Sequence, residues 1–172
     1  GERRAVDVTA DALDRIANAD AYNAFVAVDG ELALEAAARV DAAVARGEDP
    51  GPLAGVPFGV KDLEDCAGFT TSHGSLLHKE DPPAAADAIH VARLRGAGAV
   101  PLGKTAAPEF GTLNFTKTKA WGITSNPWNT AGESSRLTPA ARATSQSPER
   151  RLWAARYRAT RDDEQAVSTA SD

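Results

Sequence analysis

The chain of 172 residues has the length of one domain, and its 42% apolar and 25% charged residues exclude a fibrous protein and wholesale disorder. Its formal net charge of −5 gives no electrostatic reason to expect nucleic acid or an anionic membrane as a partner. No apolar run approaches the roughly 18 residues of a membrane span, and no signal-peptide pattern is visible, so we expect a cytoplasmic protein.

The first 47 residues predict a helix, a strand and a second helix. Apolar residues recur at helical spacing after Thr9, which is the candidate N-cap of the first helix. Residues 23–28 predict a short strand that is closed by a turn at Asp29. The second helix spans residues 31–46 and stops at Gly47. Small apolar residues line one of its faces, which indicates close packing against another element.

The next part of the chain predicts a parallel strand pair. Residues 56–60 and 99–102 are short apolar runs, and a helix is expected between them over residues 84–95, after a loop over residues 66–83. A strand, a helix and a second strand within this distance indicate a right-handed crossover in a sheet covered on both faces. The predicted fold class is therefore α/β.

One formal nucleotide-binding pattern occurs, because residues 98–105 (GAVPLGKT) fit G-x4-G-K-T. A phosphate loop needs a polar, flexible backbone between a strand and a helix. The four middle residues here are apolar and resemble the strand itself. We therefore predict that Gly103 and Lys104 form a turn from strand to loop, and we expect no cofactor.

The histidines and the cysteine give no metal site. His73, His78 and His90 lack the i, i+4 spacing of a helical metal site. Cys66 is the only cysteine, which excludes an internal disulfide and a cysteine-based zinc site, and we expect a buried, unreactive thiol.

Lys61 is the candidate for chemistry. It directly follows a short apolar strand flanked by glycines, in the sequence GVPFGVKD. A lysine at the end of a buried strand is expected to be partly desolvated, and desolvation favours the neutral amine, which can act as a base. On spacing alone, a surface lysine with its ammonium group in water is the more common arrangement.

Five blocks of sequence resemble, in order, the amidase signature family. They are PLAGVPFGVKD at 52–62, TTSHGS at 70–75, DAIHVARLRGAGAVPLGK at 87–104, EF at 109–110 and GITSNPW at 122–128. The resemblance covers about residues 7–128. It implies the N-terminal part of a mixed sheet flanked by helices.

The resemblance also implies a chemistry. Family members hydrolyse amides, or transfer ammonia as the A subunit of glutamyl-tRNA amidotransferase, through a serine–cis-serine–lysine triad. By motif position Lys61 is the triad lysine, which takes a proton from the bridging serine so that this serine activates the nucleophilic serine. The implied partner is a small-molecule amide. From the residues themselves we expect no metal, no nucleic acid and no membrane as partners, and a homodimer stays open.

The chain departs from the family pattern directly after Trp128. The family continues there into a glycine- and serine-rich segment that supplies the bridging serine. This chain has NTAGESSRLTPAARATSQ instead. Ser134 and Ser135 lie near the expected place, but Glu133 and Arg136 stand where the family has glycines, which permit backbone conformations that the site needs.

Composition changes at the same point. The last of 14 glycines is Gly132, and residues 129–172 contain seven arginines and no lysine. We therefore expect residues 1–128 to be the N-terminal part of an amidase domain, and residues 129–172 to be a non-family tail that is irregular or partly helical, disordered, or encoded in a shifted reading frame. Because the chain also contains no methionine, we expect the natural start to lie before Gly1.

The sequence thus predicts an amidase-type hydrolase of carbon–nitrogen bonds whose present chain is truncated and inactive. Two alternatives stay open at this point. One is a non-catalytic α/β interaction module, and the other is the A subunit of a tRNA-dependent amidotransferase.

Overall fold

The computed structural model describes residues 3–127, so Trp128 and the predicted tail, 129–172, lie outside the described residues. Helices, a mixed sheet and a small hairpin make up this part of the chain. In chain order they are α1 (Ala5–Ala17), β1 (Phe25–Val28), α2 (Gly30–Ala45), β2 (Pro57–Lys61), α3 (Ile89–Gly96), β3 (Val100–Thr105), β4 (Lys117–Thr118) and β5 (Gly122–Ile123). Single 3-10 turns occur at Asp20–Tyr22 and Glu109–Gly111.

The strand β3 lies at the centre of the three-stranded sheet, whose order is β1-β3-β2. It runs antiparallel to β1 and parallel to β2. Val60 lies opposite Lys104, and Lys61 lies opposite Thr105. The predicted parallel pair and mixed sheet are confirmed, and the carboxyl ends of β2 and β3 therefore meet at one edge.

The helices α1 and α2 pack together against one face of this sheet. Ala33 and Ala37 of α2 are fully buried and form one core with Ala5, Val100 and Leu102. Small side chains allow the close helix contact that the sequence predicted. Among residues 3–127, none of the helices has both the length and the apolar character that a membrane span requires.

A second, smaller core lies under α3 and the loop that follows β2. It consists of Val60, Cys66, Phe69 and Val91. Cys66 is fully buried, as predicted, and its sulfur accepts a hydrogen bond from Arg95 Nη2 at 3.2 Å.

The start of α1 differs from the prediction. The helix begins at Ala5, and Thr9, the predicted cap, is buried inside it. The cap comes instead from the neighbouring helix, because the Asp41 carboxylate accepts the backbone N–H groups of Ala5 at 2.7 Å and Val6 at 3.1 Å. Spacing within α1 could not reveal a capping group supplied by α2.

Two further boundaries are corrected. Asp29 is the N-cap of α2 and does not close a turn, since its side chain accepts the backbone N–H of Leu32 at 3.0 Å. The helix predicted over residues 84–95 begins only at Ile89. Its expected first residues are engaged elsewhere, because Ala84 N donates to the carbonyl oxygen of Phe69 at 3.0 Å.

The inter-helix cap gives a stability prediction. Replacing Asp41 with Ala leaves two part-buried N–H groups without their acceptor, so we expect the free energy of unfolding to fall by about 1–2 kcal/mol. Urea denaturation of the purified chain measures this. The exposed carboxylate of Asp14 on α1 is the matched control, and its replacement with Ala is expected to change stability by less than about 0.5 kcal/mol. Equal effects of the two substitutions would contradict the capping role.

Candidate functional site

Two lysines lie at the shared carboxyl edge of β2 and β3 in opposite environments. Lys61, the predicted site residue, ends β2 and is exposed. Lys104, one register position away on β3, is fully buried. Side chains alternate along a strand, so Val60 points into the core and Lys61 does not. The burial that the sequence predicted for Lys61 is found at Lys104.

Lys104 is held by oxygen atoms of the loop that follows β2. Its Nζ donates to the carbonyl oxygen of Glu64 at 2.8 Å, to Thr71 Oγ1 at 2.7 Å and to the carbonyl oxygen of Thr70 at 3.4 Å. It also lies 3.5 Å from Oδ1 of the buried Asp62. Burial lowers the pKa of Lys104 below its ordinary value, and the negative charge of Asp62 opposes that shift.

Asp62 follows Lys61 directly and organises the same loop. Its carboxylate accepts the backbone N–H groups of Ser72 at 2.9 Å and Gly74 at 3.2 Å, and it also accepts the Ser72 hydroxyl. Its own N–H donates to the carbonyl oxygen of Thr105 at 2.9 Å. The loop from residue 62 to residue 74 is therefore folded around one buried ion pair, which fixes the backbone directly behind Lys61.

The hairpin of β4 and β5 joins this cluster through Trp121. The indole Nε1 of Trp121 donates to Ser72 Oγ at 2.7 Å. Lys79 Nζ lies over the face of the same ring, 4.4 Å from its centroid, and donates to the carbonyl oxygen of Ala120 at 3.2 Å. The buried polar cluster of Asp62, Ser72 and Lys104 thus extends to the segment that leads toward Trp128.

The last six residues of the G-x4-G-K-T pattern form β3, so the predicted turn at Gly103 and Lys104 is wrong. A side chain at position 103 would place its Cβ 2.1 Å from the carbonyl oxygen of Ala27, and glycine is therefore required by the close approach of β1. Lys104 binds oxygens of the protein itself, which leaves it unavailable to a phosphate.

The histidine side chains contact groups other than Asp62, Ser72 and Lys104. His73 stacks on Phe110 with ring centroids 6.0 Å apart, and His78 contacts the same ring edge-on. His90 lies 3.9 Å from a carboxylate oxygen of Glu64. Within residues 3–127, no group of three or more His, Cys, Asp or Glu side chains is arranged to hold a metal ion.

Of the residues that the sequence proposed for the site, Lys61 lies within the described part of the chain. Lys61 lies beside the buried cluster, whereas Ser134 and Ser135 lie outside the described residues. Sequence reasoning did not single out Asp62, Ser72 or Trp121. A usable signal was present, since polar residues that follow parallel strands meet at one edge of the sheet.

The buried ion pair gives a second prediction. Replacing Lys104 with Met leaves Asp62 buried without its cation, so we expect a loss of about 3–5 kcal/mol in the free energy of unfolding. Replacing the exposed Lys117 with Met is the matched control and is expected to cost less than about 0.5 kcal/mol.

Adding Asp62→Asn to the Lys104→Met chain removes the unpaired charge. We expect part of the lost stability to return. Chemical denaturation of the original chain, the two single variants and the double variant measures this. Equal stability of the Lys104→Met and Lys117→Met chains would contradict the account of this pair.

Comparison with known proteins identifies the family. A model of the amidase family matches residues 7–135, which ends seven residues beyond the boundary predicted at 128. The A subunit of glutamyl-tRNA(Gln) amidotransferase from Salinispora tropica is 48% identical over 131 residues. That match covers 75% of this chain and 26% of the relative, so the chain spans about a quarter of the length of this curated relative.

Solved structures agree with this result. A chain from a vestigial protein complex, described as revealing the evolutionary origins of an s-triazine catabolic enzyme, matches with a TM-score of 0.72 and 43% identity, over 76% of this chain and 29% of that one. A bacterial aryl acylamidase of the amidase signature enzymes matches with a TM-score of 0.72 and 29% identity, over 78% and 29%. Ordered motifs, fold and sequence identity therefore agree that this chain belongs to the amidase family.

Proposed function

We propose that this chain carries the lysine part of an active site that hydrolyses amide carbon–nitrogen bonds, with Lys61 as the base. The main support is the position of Lys61 within the region that matches the family. It lies at the carboxyl end of β2, directly before Asp62, whose carboxylate is hydrogen-bonded. Because Lys61 is exposed at the end of a rigid strand, a serine hydroxyl from another segment of the protein could approach its amine.

In the proposed reaction Lys61 Nζ accepts a proton from the bridging serine. That serine takes the proton of the nucleophilic serine, whose oxygen adds to the amide carbonyl carbon. The carbon–nitrogen bond breaks as the leaving amine gains a proton, and water then hydrolyses the acyl ester. The substrate class is a small-molecule amide, and the proposed location is the cytoplasm.

We further propose that the chain alone lacks turnover. Ser134 and Ser135 are the available hydroxyls near the expected position, but Glu133 and Arg136 flank them in place of glycines. The proposed non-family tail, 129–172, accounts for this through a shifted reading frame. A coding sequence in which neither other frame after Trp128 encodes a glycine- and serine-rich segment would contradict the frame explanation.

A chimera tests the role of Lys61. Residues 7–127 of this chain replace the matched segment of the bacterial aryl acylamidase, and hydrolysis of an aryl amide is followed. We expect activity that Lys61→Ala lowers by about a thousandfold or more in kcat/KM, as expected when one member of a catalytic triad is lost. Lys117→Ala, at an exposed lysine of the same segment, is the matched control and is expected to change kcat/KM by less than about twofold.

Circular dichroism confirms that each chimera is folded before rates are compared. A folded chimera whose activity is the same with and without Lys61 would remove this residue from the mechanism. A folded chimera with no activity would contradict the proposal that this chain supplies a working lysine part of the site.

A second candidate is the A subunit of a tRNA-dependent amidotransferase. The observation in its favour is that the curated relative from Salinispora tropica, which carries this name, is 48% identical, whereas the aryl acylamidase is 29% identical. Co-purification with tRNA and with the other subunits of such a complex would support this candidate over a stand-alone amidase.

The non-catalytic interaction module and the homodimer are two further possibilities, and each has its own test. A serine-directed covalent probe that labels Ser134 or Ser135 of the purified chain would support catalysis by the chain itself. The absence of labelling, together with capture of a partner protein, would favour the interaction module. Light scattering determines whether the chain forms a homodimer.

A further inference from the structure

Ser72 connects parts of the molecule that are far apart in sequence. Its hydroxyl donates to Asp62, and it accepts Trp121 Nε1 at 2.7 Å and the N–H of Gly74 at 3.2 Å. A serine hydroxyl has one donor and two acceptor positions, so all three are used here. Ser72 is also nearly fully buried, at 1% exposure.

The hairpin that carries Trp121 depends on such contacts for its position. The strands β4 and β5 have two residues each, and an isolated two-stranded hairpin is marginally stable. Besides the indole contact and the bond from Lys79 to the carbonyl oxygen of Ala120, the hairpin region is tied to the segment before β1. Asn23 Nδ2 donates to the carbonyl oxygen of Trp121 at 2.6 Å, and Ser125 N donates to that of Tyr22 at 2.8 Å.

The contacts that run from Asp62 through Ser72 to Trp121 join two separate parts of the sequence. Asp62 directly follows Lys61, whereas Trp121 leads into residues 124–127 and onward to the place where the family supplies its bridging serine. The bond between Trp121 and Ser72 is a direct side-chain link between these two neighbourhoods.

We propose that Ser72 and Trp121 are positioning residues, whose hydrogen bond fixes Asp62, and with it the Lys61 end of β2, in relation to the segment that follows the hairpin. The proposal rests on the proposed function, because that function gives the position of Lys61 its consequence. Neither residue touches the reacting atoms.

Amide hydrogen exchange of the full chain tests the link. Trp121→Phe removes the indole N–H and keeps an aromatic ring beneath Lys79. We expect exchange at the amides of Asp62, Ser72 and Ser125 to accelerate together by at least about fivefold, because a lost hydrogen bond loosens both sides. The amide of Ala37 in α2 is the internal reference and is expected to stay unchanged.

Two substitutions at Ser72 that introduce side chains of equal shape distinguish the effect of the hydroxyl from the effect of side-chain volume. Ser72→Val is expected to reproduce the acceleration, whereas Ser72→Thr restores the hydroxyl and is expected to return exchange toward the original rates. Lys117→Met, at an exposed lysine of β4, is the matched control, with rates at Asp62 and Ser72 expected within about twofold of the original.

Acceleration at Ser125 without acceleration at Asp62 would overturn the proposal, and so would equal acceleration at Ala37 or equal behaviour of the Thr and Val chains. These results do not depend on hydrolysis. An unchanged rate in the Lys61→Ala chimera would refute the proposed function without altering the exchange pattern, so the two failures are distinguishable.

Discussion

The buried ion pair between Lys104 and Asp62 is the interaction on which the described site depends. Both side chains are fully buried, and such a pair is tolerated only when further hydrogen bonds satisfy the remaining donors and acceptors. The loop after β2 supplies these partners through the carbonyl oxygens of Glu64 and Thr70 and through Ser72. The requirement to satisfy two buried charges therefore determines the path of this loop.

The same constraint gives the two lysines different environments. Lys104 uses its ammonium group for internal structure, whereas Lys61, one register position away, keeps its side chain exposed. Because β2 and β3 are parallel, the structural lysine, Lys104, and the proposed catalytic lysine, Lys61, lie at the same edge of the sheet. The rigidity behind Lys61 comes from Asp62, whose backbone and side chain are both hydrogen-bonded.

Much of the architecture could be predicted because it follows from local pattern. Apolar runs indicated β2 and β3 as a parallel pair, and the small residues of α2 indicated its close packing. The prediction failed where a distant residue decides, as when Asp41 caps α1 or when Phe69 holds Ala84 outside α3. For the site, motif position predicted Lys61, but the burial of Lys104 depends on carbonyl groups that no local pattern places around it.

The central claim is that Lys104, and not Lys61, is the buried structural cation of this edge. NMR of the side-chain ammonium groups in the full chain tests it most directly. The account predicts slow proton exchange at Lys104 Nζ, with couplings across hydrogen bonds to the carbonyl groups of Glu64 and Thr70, and fast exchange at Lys61 Nζ. Equally fast exchange at both lysines, or protection at Lys61 alone, would contradict it.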